Sequence, residues 1–172
     1  MYSSIRLISS RLFWAFLLMI VSCPLLLAVD IPKEHIFVFE RSTNGNYVCY
    51  DINIEGGKLN QSRPLNAYWV IGGGKRTESL TFLDRKMAFG VKVVSSSENE
   101  ALVHLTAYKD LTIRICKRDG KWVGTVKWNG HEMILHKMFA QMGGSLGMKC
   151  EYVDVYGTDT ATGAAHRERI TP

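Results

Sequence analysis

Residues 111–128 read LTIRICKRDGKWVGTVKW and contain the clearest indication of the fold class. Aliphatic and polar side chains alternate through residues 111–117, and the same two-residue period returns in residues 122–128. Such alternation is typical of antiparallel strands that bury one face. Asp119-Gly120 stands between the two runs and is favoured in tight hairpin turns, because both central positions take a positive φ. The stretch therefore predicts a β-hairpin.

The same pattern recurs along the chain after residue 30. Residues 47–54 alternate, with Val48, Tyr50 and Ile52 on one face, and Asn44-Gly45 and Asn129-Gly130 are two further hairpin dipeptides. Nine strands are predicted, at residues 36–40, 47–54, 66–71, 89–95, 101–107, 111–117, 121–128, 133–141 and 148–156. We predict an all-β domain in which about eight or nine strands form a single antiparallel meander. A barrel is preferred because closure removes exposed strand edges, and a sandwich is the alternative.

At most one short helix is predicted. Leu80, Leu83 and Met87 stand at the i, i+3 and i+7 positions of residues 78–87, and Gly90 follows as a stop signal.

Composition indicates one folded domain without a polyanionic partner. The 172 residues are 47% hydrophobic and 22% charged, which is ordinary for a globular protein. Lys and Arg number 21 against 16 Asp and Glu, and the basic residues are scattered rather than gathered in a stripe. We therefore predict no nucleic-acid partner.

Residues 1–28 have the plan of an export signal. Arg6 and Arg11 precede a run of 18 uncharged residues, 12–29. Three fates remain open: cleavage after Ala28, lipidation of Cys23 in a stretch that resembles the bacterial lipoprotein box, or retention as a membrane anchor. Each exports residues 29–172 as a single β-domain. The predicted location is the periplasm or the membrane-anchored cell envelope, with secretion as the alternative, and only the N-terminal segment is expected to contact the membrane.

Two motifs resemble catalytic ones but lack the required context. Residues 143–147 match G-x-S-x-G around Ser145, with Asp154 or Asp159 and then His166 following in order. The nucleophile elbow needs a helix next, whereas the residues after it alternate as a strand. His131 and His136 are five residues apart, so they face apart on a helix or a strand and do not share a zinc ion.

We therefore predict no catalytic residue, no metal site and no cofactor, and the sequence favours a protein that is not an enzyme. Three cysteines remain after export. Cys49 and Cys116 lie on the polar faces of their strands and are the candidate disulfide pair, with free thiols as the alternative.

Three motifs in the N-terminal half are denser in specific polar residues than a plain barrel requires. They read RSTNGNYVCYD at 41–51, PLNAYW at 64–69 and RKMAFG at 85–90. As a set they resemble a family of exported, mostly β bacterial domains to which no activity is assigned. The resemblance covers about residues 36–160. The resemblance implies export, a single domain and mostly β structure, and it implies no particular substrate.

These motifs also supply the candidate ligand-binding residues. They are Arg41, Asn44, Asn46, Asp51, Tyr68, Trp69, Arg85 and Lys86. A guanidinium presents a planar fork to a carboxylate or phosphate, and Asp51 would orient it if Arg41, Asp51, Tyr68 and Arg85 gather at one end of the sheet. The alternative is a structural ion pair with the Asn residues capping a turn.

Two functions fit this composition. The first is an envelope binding protein for a lipid or a small anionic ligand, with an amphiphile as its partner. The second is a structural or assembly accessory that attaches to another envelope protein through a strand edge.

Overall fold

The computed structural model describes residues 35–144 and 149–171. They are mostly strands with one short helical segment, which confirms the predicted β-rich character. The export segment and Cys23 lie outside the described residues. Within the described ranges, no helix is long and apolar enough to cross a membrane.

Every predicted strand overlaps an observed one. The strands are β1 Phe37–Arg41, β2 Tyr47–Ile52, β3 Ile54–Glu55, β4 Lys58–Leu59, β5 Leu65–Ile71, β6 Arg76–Ser79, β7 Val91–Ser96, β8 Glu100–Leu105, β9 Tyr108–Arg118, β10 Lys121–Trp128, β11 His131–Gly143, β12 Lys149–Asp159 and β13 Ala165–Ile170. The helical segment is α1, Phe82–Asp84, followed directly by a π-helical turn, Arg85–Phe89.

Two of the predicted hairpin turns have the expected backbone. Asp119 and Gly120 have φ of 51° and 77°, and Asn129 and Gly130 have φ of 49° and 85°. Both central residues of each turn are therefore left-handed, as a type I′ turn requires. These turns join β9 to β10 and β10 to β11.

The prediction of a single antiparallel meander is wrong, because β1 pairs with β11 in parallel, with Val38 opposite Lys137. The sheet forks at β11. Residues 131–134 of β11 pair with β10, and Lys137–Ala140 pair with β1 on the same edge, while β12 occupies the other edge. The bulge at His136 lies between these two stretches.

The fork divides the sheet into three parts. The first wing contains β1, β2, β5 and β6, the second wing contains β7, β8, β9 and β10, and the base contains β11, β12 and β13. Strand order is β6-β5-β2-β1-β11-β10-β9-β8-β7, and this path curls strongly into a half-barrel. It is neither a closed barrel nor a sandwich, since β6 and β7 each pair with one neighbour only.

One hydrophobic core fills the inside of the curl. It receives fully buried side chains from the first wing, the second wing and the base, among them Phe37, Tyr50, Val103, Ile113, Ile115, Leu135 and Met138. The segment between β6 and β7 contributes Leu80 and Phe89 to it. This segment is therefore held at both ends by buried side chains.

The described structure has one short helical segment, as predicted, but it does not extend over residues 78–87. Arg76–Ser79 is strand β6, and α1 begins only after Thr81, which caps it. Leu80 is buried, whereas Leu83 and Met87 are exposed. Of residues 78–90, only 82–89 are helical, so Leu80 precedes the helix and does not share a helical face with Leu83 and Met87.

Candidate functional site

Asp51 is the centre of a polar cluster on the outer face of the first wing. Alternation in β2 sends Val48 and Tyr50 into the core, so Asp51 points away from it. One carboxylate oxygen accepts a hydrogen bond from Nδ1 of His35, and the other accepts one from the Tyr68 hydroxyl at 2.7 Å. The expected arginine partner of Asp51 is therefore replaced by a histidine and a tyrosine.

Two neighbours of Asp51 are held in their protonated forms. Burial, followed by the hydrogen bond to Asp51, raises the pKa of Tyr68 well above its usual value. Burial, followed by the charge of Asp51, raises the pKa of the Cys49 thiol to about 12. Tyr68 therefore acts as a hydrogen-bond donor, and Cys49 is a poor nucleophile at neutral pH.

Arg41 and Trp69 lie on the opposite, inner face of the same wing. The guanidinium carbon of Arg41 is 5.5 Å from the Trp69 ring centre and 5.4 Å from that of Phe89, in cation–π contact. Trp69 Nε1 donates to Asp84 at 3.2 Å, and the Thr81 amide donates to the same carboxylate at 2.9 Å. Arg41 and Asp51 are therefore on different faces of the wing and do not share a site.

Asp84 remains ionised in this setting. Burial alone would raise the pKa of its carboxyl, but the hydrogen bonds from Thr81 and Trp69 and the nearby charge of Arg41 outweigh burial and lower it below 3.8. The Asp84 carboxylate therefore caps α1 and holds the helical segment against the first wing.

Asn44 and Asn46 have the structural role given above as the alternative. The side-chain oxygen of Asn44 accepts from the amide of Asn46 at 3.2 Å, and that of Asn46 accepts from the amide of Gly72 at 3.2 Å. These bonds tie the turn between β1 and β2 to the turn between β5 and β6. Such side-chain bonds to nearby backbone are a common way to stabilise turns.

Arg85 and Lys86 line a groove between β5 and β7, together with Arg63 and Lys92. We call this site the basic groove. Its main compartment has a volume of about 450 Å³ and is walled by the apolar side chains Leu65, Ala67, Leu80, Phe82 and Val91. An adjoining compartment of about 420 Å³ includes Tyr68 and shares Arg63, Ala67 and Arg85 with the first.

The cations of the basic groove are unpaired. Across residues 35–144 and 149–171, none of Arg63, Arg85, Lys86 and Lys92 forms an ion pair or a side-chain hydrogen bond. Lys86 has only a contact with an aromatic ring, its Nζ lying 5.8 Å from the centre of Phe82. The one acid in the adjoining compartment, Glu78, is paired with Arg76 at 2.9 Å.

The predicted site residues therefore separate into three groups. Tyr68, Arg85 and Lys86 line the basic groove, and Asp51 reaches it only through its bond to Tyr68. Arg41 and Trp69 pack on the inner face, and Asn44 and Asn46 hold turns.

Sequence reasoning missed the residues His35, Arg63, Asp84 and Lys92. Only Asp84 had a local signal, because it stands three residues after Thr81, the spacing of a capping box.

Neither a disulfide nor a metal cluster is found in the described structure. The predicted Cys49–Cys116 disulfide is absent, because both residues are free thiols and lie in different wings, in β2 and β9. In the described ranges, no three His, Cys, Asp or Glu residues are placed to hold a metal ion. Ser145 lies outside the described residues, and the chain resumes at Lys149 as strand β12 rather than as a helix.

Fold and site together define a half-barrel β-domain with a cationic, apolar-walled groove at its open side. The chain belongs to the family described as "Domain of unknown function (DUF4833)", which matches residues 37–169. This confirms the family resemblance that the motifs indicated. No curated protein and no solved structure matches the chain.

Proposed function

We propose that this chain is an exported β-domain of the cell envelope whose basic groove binds an amphiphile with an anionic headgroup. The observation that carries the proposal is the set of four unpaired cations around an apolar-walled groove. The export part rests on the sequence of residues 1–28, where Arg6 and Arg11 precede an uncharged run.

The charges of the groove favour an anion. Arg63, Arg85, Lys86 and Lys92 are exposed and line one concave site, where like charges repel one another. An anionic headgroup relieves this repulsion. The two guanidinium groups provide the planar forks that match a carboxylate or a phosphate.

The walls of the groove favour an apolar tail beside that headgroup. Ala67, Phe82 and Val91 line the main compartment with apolar surface that is exposed or half-buried, and its volume of about 450 Å³ is in the range of small-molecule sites. A small, fully hydrated anion would leave this apolar surface in contact with water. An amphiphile covers them and pairs with the cations at the same time.

The two strand edges beside the groove, β6 and β7, do not favour the alternative of an assembly accessory. Strand β6 is short and reads Arg-Thr-Glu-Ser, and β7 carries Lys92 and a bulge between Val93 and Ser95. Short length, charge and bulges are the features by which natural proteins prevent edge-to-edge pairing. The groove is therefore the better-supported binding site.

A co-purification experiment tests the proposal. The full chain is extracted from native membranes in a neutral maltoside detergent, and its bound lipids are identified by untargeted mass spectrometry. We compare the wild type with the double variant Arg63→Gln/Arg85→Gln. The matched control is Arg114→Gln/Arg118→Gln, which removes two cations that are already paired with Glu100 and Glu132.

The wild type and the control should retain the same anionic amphiphile, and the groove variant should lose about tenfold or more of it, the size of one charge-assisted hydrogen bond. Thermal melts establish that all three proteins are folded. Equal retention by the groove variant, or no enrichment of any anionic amphiphile in the wild type, would refute the proposal.

A further inference from the structure

Phe82, Leu83 and Met87 form an exposed apolar cluster, which we call the apolar tip. Their exposed fractions are 75%, 65% and 72%, and each is higher than that of any other large hydrophobic residue in residues 35–144 and 149–171. An apolar cluster of this kind, surrounded by polar residues, marks an interaction surface.

The apolar tip is held in place rather than frayed. Leu80 and Phe89, on either side of it, are buried in the core. The Tyr50 hydroxyl donates to the carbonyl of Phe89 at 3.0 Å, and the Thr106 hydroxyl donates to the carbonyl of Arg85 at 3.0 Å. The exposed side chains are thus presented by a segment that both wings fix.

Two cations lie within the segment that carries the apolar tip, and the one acid of this segment is hydrogen-bonded to other residues. Arg85 and Lys86 stand between Leu83 and Met87 in the chain. Asp84 is the one acid among residues 80–90, and its carboxylate is engaged by Trp69 and Thr81.

The surface therefore combines protruding apolar side chains with unopposed cations. This combination is complementary to the interface of an anionic lipid bilayer, which has a negative headgroup layer above an apolar layer.

We propose that the apolar tip inserts into the interface of an anionic membrane and docks the domain there. The contact is additional to any membrane contact made by the N-terminal segment. Because Phe82, Arg85 and Lys86 also line the basic groove, docking places the mouth of the groove at the headgroup layer. Docking does not require an occupied groove, so it stands apart from the proposed ligand binding.

Hydrogen exchange on the full chain reconstituted into vesicles tests this inference. One vesicle type contains phosphatidylcholine alone, and the other contains phosphatidylcholine with phosphatidylglycerol. The N-terminal segment is present in both, so only the lipid charge differs. Backbone amides of residues 82–89 should exchange about tenfold more slowly on the anionic vesicles, because inserted amides lose contact with water.

Salt and two variants complete the design. Raising the ionic strength from about 0.1 M to about 1 M shortens the Debye length from about 10 Å to about 3 Å and should abolish the difference. The variant Leu83→Ser/Met87→Ser should lose the protection, and these two residues do not line the groove. The control Ile54→Ser/Val94→Ser changes two other exposed apolar residues and should keep it.

Equal exchange of residues 82–89 on both vesicle types, or protection that survives in Leu83→Ser/Met87→Ser, would overturn the inference. Protection that appears only when an envelope protein fraction is added would also overturn it, in favour of a protein partner. Lipid co-purification by Leu83→Ser/Met87→Ser reports on the groove alone. The two proposals can therefore fail independently.

Discussion

The base of the half-barrel and the basic groove differ in whether their charged side chains form ion pairs. At the base, Arg169 donates to both oxygens of Asp154 at 2.7 and 2.8 Å, and His166 pairs with Glu168 at 2.8 Å. Lys137 of β11 pairs with Glu40 of β1 at 3.3 Å. These charges pair with one another inside the protein.

The basic groove leaves its cations without partners although acids are close in the chain. Asp84 precedes Arg85 directly, yet its carboxylate turns to Trp69 and Thr81 instead. Glu78 pairs with Arg76. The contrast indicates that the groove cations are available to something outside the chain, whereas those of the base hold strands together.

The largest expected difference between the two regions concerns apolar side chains, and a matched pair of leucines measures it. Leu135 at the base is 0% exposed and Leu83 on the apolar tip is 65% exposed. Leu135→Ala should lower the free energy of unfolding by about 2–5 kcal/mol, because it empties a packed core position. Leu83→Ala should change it by no more than about 0.5 kcal/mol.

Urea denaturation of both variants provides the measurement. Similar losses of unfolding free energy in the two variants would mean that Leu83 is packed in the folded protein. The base and the apolar tip would then not differ in packing.

Gly90 tests whether the helical segment is fixed at the open side. A Cβ atom there would lie 2.2 Å from the Arg85 carbonyl oxygen and 2.8 Å from the Thr106 hydroxyl. Gly90→Ala should therefore cost about 1–3 kcal/mol of stability, as overpacking does.

Gly45→Ala is the control, since no atom beyond the two adjacent residues lies within 4 Å of a Cβ at Gly45. The two melting temperatures should differ clearly. Coincident melts would show that the segment yields to the added methyl group and is less rigid than the anchoring contacts suggest.

The nine predicted strands and two of the three predicted tight turns could be found from the sequence because their signals are local. Alternation over residues 111–117 and 121–128 requires no knowledge of any distant residue, and β9 and β10 appear there. The Asp119-Gly120 turn follows from backbone sterics alone.

The pairing of β1 with β11 carried no such signal. Val38 pairs with Lys137, which is far from it in the sequence. Alternation shows which residues of a strand share a face, but it does not show which other strand pairs with it. Strand β13 was missed for a related reason. It reads Ala-His-Arg-Glu-Arg-Ile and lies at the edge of the base, where only alternate residues are half-buried.

The site was predictable in part. Alternation correctly separated Asp51 from Val48 and Tyr50, but it did not say which face would be the interior. The basic groove combines Arg63, Arg85 and Lys92 from three segments that the fold alone brings together. Motif density in the N-terminal half pointed to the right half of the chain and to only part of the groove.

A smaller effect is expected at Asp51, whose side chain is 30% exposed. Asp51→Ala removes the acceptor of His35 and Tyr68, so the expected loss is about 1–2 kcal/mol, below that of a fully buried ion pair. Asp110→Ala, at an exposed position of β9, is the control and should be neutral within about 0.5 kcal/mol. Equal stabilities of the two variants would show that water replaces the Asp51 bonds without cost.

The smallest effect concerns His136, which lies at the bulge where the sheet forks and has no acidic partner in the described structure. Burial lowers its pKa below the usual 6.5, so the unfolded chain takes up a proton at a higher pH than the folded domain does. Stability due to the neutral ring is therefore present above about pH 6.5 and declines as the pH falls from there toward the folded pKa.

His136→Gln keeps a polar group near Thr158 and removes the titration, so its stability curve should be flatter than that of the wild type between about pH 7 and 5. Between about pH 9 and 7 the ring is neutral in both states, and the two curves should run parallel. Denaturation midpoints of the wild type and His136→Gln, measured across both pH ranges, test this prediction. Curves that stay parallel down to the lower range would mean that His136 is hydrated in the folded protein, and that even the fork of the base admits water.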